Sequence, residues 1–307
     1  MRNYILRRLL LLIFVLFGVT LITFILMHVV PGDPALIILD KLSSNTELLL
    51  KLRHKLGLDK PLIVQYWEFL KNLVRFNLGD SITLHASVRE LIFERFPLTL
   101  KLALFSLTIA LLIGIPSGVI SAVKQYSTID TFFTIFALFG VSIPVFWLEL
   151  LLQILFALKL GFFNVSGYMS VKDLFLPSLA LGLIYSASIT RFTRSSILEV
   201  LHMDYVRTAR AKGLSEKTVI TRHVFRNALI PVVTLVGMQF GGLLTGAAIT
   251  ETVFDLPGLG KLLLDAQLNR DYPLIQGGII FVAIIFGLSN LSVDIFYAFL
   301  DPRIRYD

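Results

Sequence analysis

The sequence predicts an all-α polytopic membrane protein. Three observations predict it. Of 307 residues, 56% are hydrophobic and only 16% are charged, against roughly 25% charged in an ordinary soluble domain. Mean hydropathy is +0.80. Apolar runs of transmembrane length recur along the chain, and at 1.5 Å per residue about 20 such residues cross about 30 Å of hydrocarbon. A soluble protein of this length would need more charge to cover its surface.

The elements follow in order. Arg2, Arg7 and Arg8 precede an apolar run from Leu9 to Val30. The run is too long for a typical signal-peptide core and has no small-residue cleavage site after it. Residues 1–30 therefore read as a cytoplasmic N-terminus and a first, uncleaved transmembrane helix, stopped by Pro31-Gly32-Asp33-Pro34. Residues 31–96 are too long for a plain connection. Helix-like stretches at 47–56 and 61–76, the second with Tyr66, Trp67, Leu70, Leu73 and Val74 on an uneven apolar face, predict a small helical extracytoplasmic insertion. Residues 97–299 hold five further spans, near 97–123, 131–160, 174–194, 228–253 and 274–299, and residues 300–307 form a cytoplasmic tail.

Six spans place both termini on one side. Arg2, Arg7, Arg8, Lys124, Arg191, Arg194 and the basic residues of 207–226, with Arg303 and Arg305, fall on the side of the termini. The two short opposite loops hold only Lys159, Lys172, Lys261 and Arg270. Lys and Arg favour cytoplasmic loops, so both termini are expected inside. The net charge of +7 is then loop bias and not a nucleic-acid footprint. Cysteine is absent, which excludes disulfides and thiolate chemistry.

Motifs for bond chemistry are missing. There is no phosphate-binding G-x-x-x-x-G-K-[ST] loop; Gly258-Leu259-Gly260-Lys261 has the wrong spacing. No H-E-x-x-H or G-x-S-x-G occurs, and the five histidines are scattered. No catalytic, cofactor or metal residue is expected. Three acids fall within or near spans: Glu149, Glu251 and Asp294. Intramembrane acids are functional candidates, but these have no evident basic partner at depth, so an ion-coupled secondary carrier is the less favoured alternative. Pro116, Pro144, Pro177 and Pro231 each remove a helix hydrogen bond and mark either tolerated kinks or breaks beside a pathway. Pro144, Glu149, Pro231 and Glu251 are the candidates for a pathway or gate.

The segment 195–227 is polar, basic and inside. Asp204 to Lys212 can form a helix with Asp204 as N-cap. Tyr205, Thr208, Ala209 and Lys212 recur at helical spacing, Thr208, Ala209 and Ala211 are small, and Gly213 can supply a left-handed terminus. A second helix runs from Ser215 through Arg222, His223 and Arg226 into the fifth span. Read from the residues alone, this is either a solvated basic loop beside anionic lipid or a docking surface for a soluble partner.

The segment resembles the EAA loop of permease subunits of binding-protein-dependent ABC importers. With Gly213 aligned, the E-A-A positions are Arg207, Thr208 and Ala209, and the later I, L and P positions fall on His223, Phe225 and Arg226. The loop departs from the pattern at the Glu and the final Pro. The wider set of motifs is similar to one permease of the dipeptide/oligopeptide/nickel class: Asp204-Tyr205-x-Arg207-Thr208-Ala209-Arg210-Ala211-Lys212-Gly213, Arg226-Asn227-Ala228-x-Ile230-Pro231, Pro31-Gly32-Asp33-Pro34, Leu78-Gly79-x-Ser81, Glu251-x-Val253-Phe254-x-x-Pro257-Gly258-x-Gly260 and Arg270-Asp271-Tyr272-Pro273. Leu56-Gly57-Leu58-Asp59-x-Pro61 and the tail Asp301-Pro302-Arg303-Ile304-Arg305 belong to the same set.

The resemblance implies a type I ABC importer permease fold in a bacterial or archaeal cytoplasmic (inner) membrane. It implies a second homologous permease subunit, two ATPase subunits carrying ATP and magnesium, and an extracytoplasmic solute-binding protein. Asp204, Tyr205, Arg207, Thr208, Ala209, Arg210, Ala211 and Lys212, ending at Gly213, would be the coupling helix seated on an ATPase subunit, with Ala209 giving the close approach. Dipeptides or oligopeptides are the implied solutes; nickel and glutathione import by the same architecture are alternatives.

Overall fold

The computed structural model describes residues 2–29 and 59–300, with Glu47, Leu50 and His54. The expected stop at Pro31–Pro34, most of the helix expected at 47–56, the Leu56-Gly57-Leu58 part of its motif and the tail motif lie outside the described residues. The rest is helical: α1 (Arg2–Val29), α2 (Leu62–Val74), α3 (Val88–Val123), α4 (Thr128–Ser142), α5 (Val145–Leu152), α6 (Phe175–Leu201), α7 (Asp204–Ala211), α8 (Phe225–Gly246), α9 (Ala248–Val253), α10 (Leu259–Leu268) and α11 (Tyr272–Leu300). Five helical stretches are long and apolar enough to cross a membrane, and a sixth arises if the bent pair α4–α5 is one span.

The span expected over 131–160 is thus two helices, and of the two outcomes open for Pro144, a kink or a break, the chain shows a break. The chain turns through 103° between Ser142 and Val145. Ile143 adopts an extended conformation (φ −79°, ψ 127°) and Pro144 caps α5 without an N–H to give. Proline disfavours the helical region in the residue before it, so Ile143 leaves the helix. Pro116 and Pro231 lie inside unbroken helices, so of these prolines Pro144 alone sits at a sharp break. After α5 the helix widens into a π-helical segment, Gln153–Lys159.

The chain divides into two compact units. The first holds residues 1–5, 97–261 and 285–307. Its packing relies on small residues that let helices touch backbone to backbone, as in membrane bundles. Gly114 and Gly118 of α3, spaced G-x-x-x-G, face α6: a Cβ at Gly114 would come within 2.7 Å of Ile189, and one at Gly118 within 2.6 Å of Thr193. Gly182 of α6 returns the contact beneath Ile109. Gly237 and Gly241 of α8 do the same against Val293 and Phe286 of α11.

The second unit holds residues 6–96 and 262–284. The inner face of α2 lies along α1: the Tyr66 hydroxyl and Thr20 hydroxyl are 3.1 Å apart, and the Tyr66 ring lies 5.2 Å from that of Phe24. Two sequence motifs about 190 positions apart meet here. The Asp271 carboxylate accepts hydrogen bonds from Ser81 Oγ (2.5 Å), Thr83 N (2.9 Å) and Thr83 Oγ1 (2.6 Å), and from Leu274 N. The carboxylate thus joins the loop after Leu78-Gly79 to the start of α11.

Candidate functional site

The polar segment is built outward from the end of α6. The helix runs past its apolar part to Leu201, and Met203, extended at ψ 145°, starts a new helix at Asp204. This corrects the expected N-cap: Met203 holds that position and Asp204 is the first helical residue, with no side-chain cap bond. Its carboxylate still sits in the first turn, where the helix dipole favours it.

Only Val206 and Ala209 of α7 are buried. They pack on Ala122 and Ile197 near the ends of α3 and α6, on Ala228 at the foot of α8, and on Val219 and Val224 in the turn that leads into it. This differs from the expectation for Ala209, whose small side chain was to admit a partner. At 5% exposure it faces the chain's own core, because Val206 and Ala209, three apart, share the inward stripe. Asp204, Arg207, Thr208 and Ala211 form the opposite stripe, and all are exposed.

Polar contacts fix the helix at each end. Tyr205 Oη accepts from Asn227 Nδ2 at 2.9 Å, and the same amide donates to His223 O. Arg210 donates from Nε and Nη2 to the two carboxylate oxygens of Glu216 at 3.1 and 2.7 Å. That carboxylate holds the Arg210 guanidinium more firmly charged than usual. The pair is half exposed and contributes at most about 1 kcal/mol, so its role is geometric. Lys212 is the C-cap, donating to Thr208 O, and Gly213 follows at φ +79°. This is the left-handed residue that the sequence predicts there. Ser215 then caps the next turn, accepting from Thr218 N. The chain continues through a π-helical turn, Val219–Val224, into α8.

Beside this segment lies an ion pair that the sequence reading missed. Asp130, 5% exposed in the first turn of α4, accepts from Arg194 Nε (2.7 Å) and Nη2 (2.8 Å), from Ser121 Oγ (2.5 Å) and from Tyr126 N (2.9 Å). The sequence places Arg194 at the inner end of the fourth span, among the cytoplasmic-side charges, and starts the third span just after Asp130. Ser127-x-x-Asp130, a helix-cap signature, was the available signal: Asp130 N donates to Ser127 Oγ.

The candidate gate residues separate. Glu149 is fully buried, and its carboxylate accepts from Thr250 Oγ1 at 2.5 Å. One turn on, Gln153 Nε2 donates to Val165 O (2.9 Å) and Val253 O (3.1 Å). These bonds tie α5 and its π segment to α9. Glu251 is 1% exposed and caps α10: it accepts from Lys261 N (2.8 Å) and from Thr99 Oγ1 (2.6 Å), which in turn accepts from Leu259 N. A Cβ on Gly258 would collide with the Glu251 carboxylate, and one on Gly260 would stand 2.8 Å from Ala248 Cα. The Glu251…Gly258-x-Gly260 motif is therefore a close-packed helix cap. Pro144 and Pro231 are exposed, the former at the break and the latter in the first third of α8.

Long apolar helices, small-residue helix crossings and an outward-facing basic helix between two spans define a polytopic membrane transport component. Two family models match the chain: a binding-protein-dependent transport system inner membrane component over residues 114–306, and the N-terminal membrane component of such systems over residues 1–103. The chain belongs to this family. It is 43% identical, over an alignment 334 positions long, to the dipeptide transport system permease protein DppB of Alkalihalophilus pseudofirmus, covering all of both chains. The di/tripeptide transport system permease protein DppB of Pseudomonas aeruginosa is also 43% identical, over 100% of this chain and 99% of that one. The glutathione transport system permease protein GsiC of Escherichia coli is 43% identical over 306 residues, covering all of both. The inward-facing MetNI methionine ABC transporter shares the fold, with TM-score 0.58 and 18% identity over 69% of this chain and 96% of that one. The chain is thus an ABC importer permease subunit and not an enzyme; ATP hydrolysis falls to separate ATPase subunits.

Proposed function

We propose that this chain forms half of the translocation pathway of an ATP-driven importer for dipeptides or oligopeptides. Full-length similarity to dipeptide and di/tripeptide permeases supports the solute class. Equal similarity to a glutathione permease supports glutathione, itself peptide-like, as the second reading. The other half of the pathway is a second homologous permease. Two ATPase subunits bind ATP and magnesium on the cytoplasmic side, where both termini lie. A solute-binding protein delivers from outside, next to the insertion at 31–96.

The observation that carries the mechanism is the mounting of α7. Its inner face, Val206 and Ala209, is fixed to the ends of three helices, while Asp204, Arg207, Thr208 and Ala211 remain bare. A helix held this way transmits displacement: a push on the outer stripe moves α3, α6 and α8 together. ATP-driven closure of the ATPase pair supplies the push. The bend at Pro144 divides its span where such a motion can be absorbed, and Glu149 and Gln153 keep α5 joined to α9. Pro231 leaves an unpaired carbonyl in α8 for a neighbour or a water-lined pathway. Glu251 is a brace in this scheme.

Reconstitution of the four-subunit assembly in vesicles, with the binding protein and a labelled dipeptide, tests this. Uptake that requires ATP and all subunits is expected. Uptake by the chain alone, indifferent to ATP, would discard the scheme.

A further inference from the structure

A cavity of about 560 Å³ opens on the first unit, walled by α4, α6 and α8. That volume falls within the range of small-molecule sites, about 300–1,000 Å³. Thr134, Ser188 and Ser195 contribute hydroxyls; Leu138, Phe192 and Leu235 contribute apolar wall. Two arginines line it, Arg191 and Arg194. They differ in what they have left to offer. The guanidinium of Arg194 is taken up by Asp130 through two hydrogen bonds. Arg191 is exposed and has no hydrogen-bond or ion-pair partner among the described residues.

This arginine lies on the cytoplasmic side of α6, at the end of its apolar stretch and ten positions before Leu201, or about 15 Å along the helix. Lining the cavity with its guanidinium uncommitted, it can receive an anion that enters from that side. Five N–H donors in a planar fork suit a carboxylate or phosphate. The neutralised Asp130–Arg194 pair sits at the first turn of α4, where headgroups would reach. Arg191 is one turn farther from the α7 end of the span, among hydroxyls and apolar side chains, a wall that suits a short peptide better than a lipid phosphate.

Resting on the peptide reading above, we propose that this cavity holds the transported peptide in transit, with Arg191 binding its free terminal carboxylate. The hydroxyls of Thr134, Ser188 and Ser195 serve backbone amides, and Phe192 and Leu138 flank side chains. The site adds a second recognition of the free C-terminus, after whatever selection the delivery protein makes.

The test uses the assembled importer in lipid nanodiscs without the delivery protein. The probes are alanyl-benzoylphenylalanine and its C-terminal amide, photolysed and mapped by mass spectrometry. The free acid is expected to label 134–141 and 188–195 roughly ten-fold more than the amide, the low end for hydrogen bonds to a charged group. R191Q should abolish that preference and R191K retain part of it, each with unchanged subunit assembly. Equal labelling by acid and amide in the unmodified protein overturns the proposal, as does an acid preference that survives R191Q. Anionic phospholipid that co-purifies with the unmodified protein but not with R191Q, without labelling by the acid, overturns it in favour of a lipid site. Peptide uptake by the complete importer is measured in parallel. Its absence defeats the peptide reading itself, whereas uptake without cavity labelling defeats only this site.

Discussion

Replacing Asp130 by alanine should destabilise the permease by about 3 kcal/mol. Four donors converge on this carboxylate: two from Arg194, one from Ser121 and one from Tyr126 N. Breaking a buried ion pair from one side costs about 3–5 kcal/mol, because the other charge is left uncompensated. Here the Asp130 side chain is 6% exposed but that of Arg194 is 28% exposed, so water recovers part of the loss and the low end of the range applies. The pair also carries direction: it fixes the first turn of α4 to α6, a turn away from the core on which α7 rests. Thermal unfolding of the purified protein in detergent measures the effect. A double-mutant cycle with Arg194→Ala isolates the pair, and the double variant should lose less than the sum of the singles by more than about 1 kcal/mol. An Asp130→Ala protein within about 0.5 kcal/mol of the unmodified chain, or strictly additive singles, would refute the reasoning.

Three further outcomes follow from the geometry. At Gly213 a Cβ would meet no atom within 4 Å, so Gly213→Ala costs only the left-handed backbone, about 1 kcal/mol, and retains coupled transport; Gly213→Pro cannot adopt φ +79° and should uncouple ATP hydrolysis from uptake, and equal transport by both variants would contradict this. Gly258→Ala drives a methyl into the Glu251 carboxylate and should cost about 1–3 kcal/mol in thermal unfolding, whereas an unchanged melting curve would remove Glu251 from the role of cap. Burial pushes the Asp271 carboxyl up, but hydrogen bonds from Ser81 and Thr83 outweigh it and hold it below the usual range. Its contribution is therefore complete above about pH 4 and is lost as pH falls through the lowered value. Protection factors of residues 81–84, taken relative to the intrinsic exchange rate at each pH, should fall as pH drops below about 4, and Asp271→Asn should flatten that fall; protection unchanged by acid in the unmodified chain would contradict it.

Much of the architecture was legible because membrane spans and helix ends are local signals. The apolar runs gave the long helices, and Gly213 gave the end of α7. Long-range pairing was less legible. Pro144 looks like Pro116 and Pro231 in sequence, yet the chain bends by 103° beside it while the other two lie within continuous helices. The inward stripe of α7, Val206 with Ala209, is not legible locally, because it is set by a core assembled from four separate stretches. Asp130 and Arg194 are 64 positions apart, and neither stands out alone. The Gly114-x-x-x-Gly118 and Gly237-x-x-x-Gly241 spacings are legible signals of close helix crossings.

The central claim is that the outer stripe of α7 bears on an ATPase subunit and transmits its motion. The chain has no cysteine, so single cysteines can be placed without background. In the assembled importer, Thr208→Cys and Ala211→Cys, both on the exposed face, are paired with cysteines along the ATPase surface; Val206→Cys, on the buried face, is the control. The account predicts cross-linking at Thr208 and Ala211 but not at Val206, with transport blocked while the link holds and restored on reduction. No cross-link from the exposed positions, or undiminished uptake while they are linked, would contradict it.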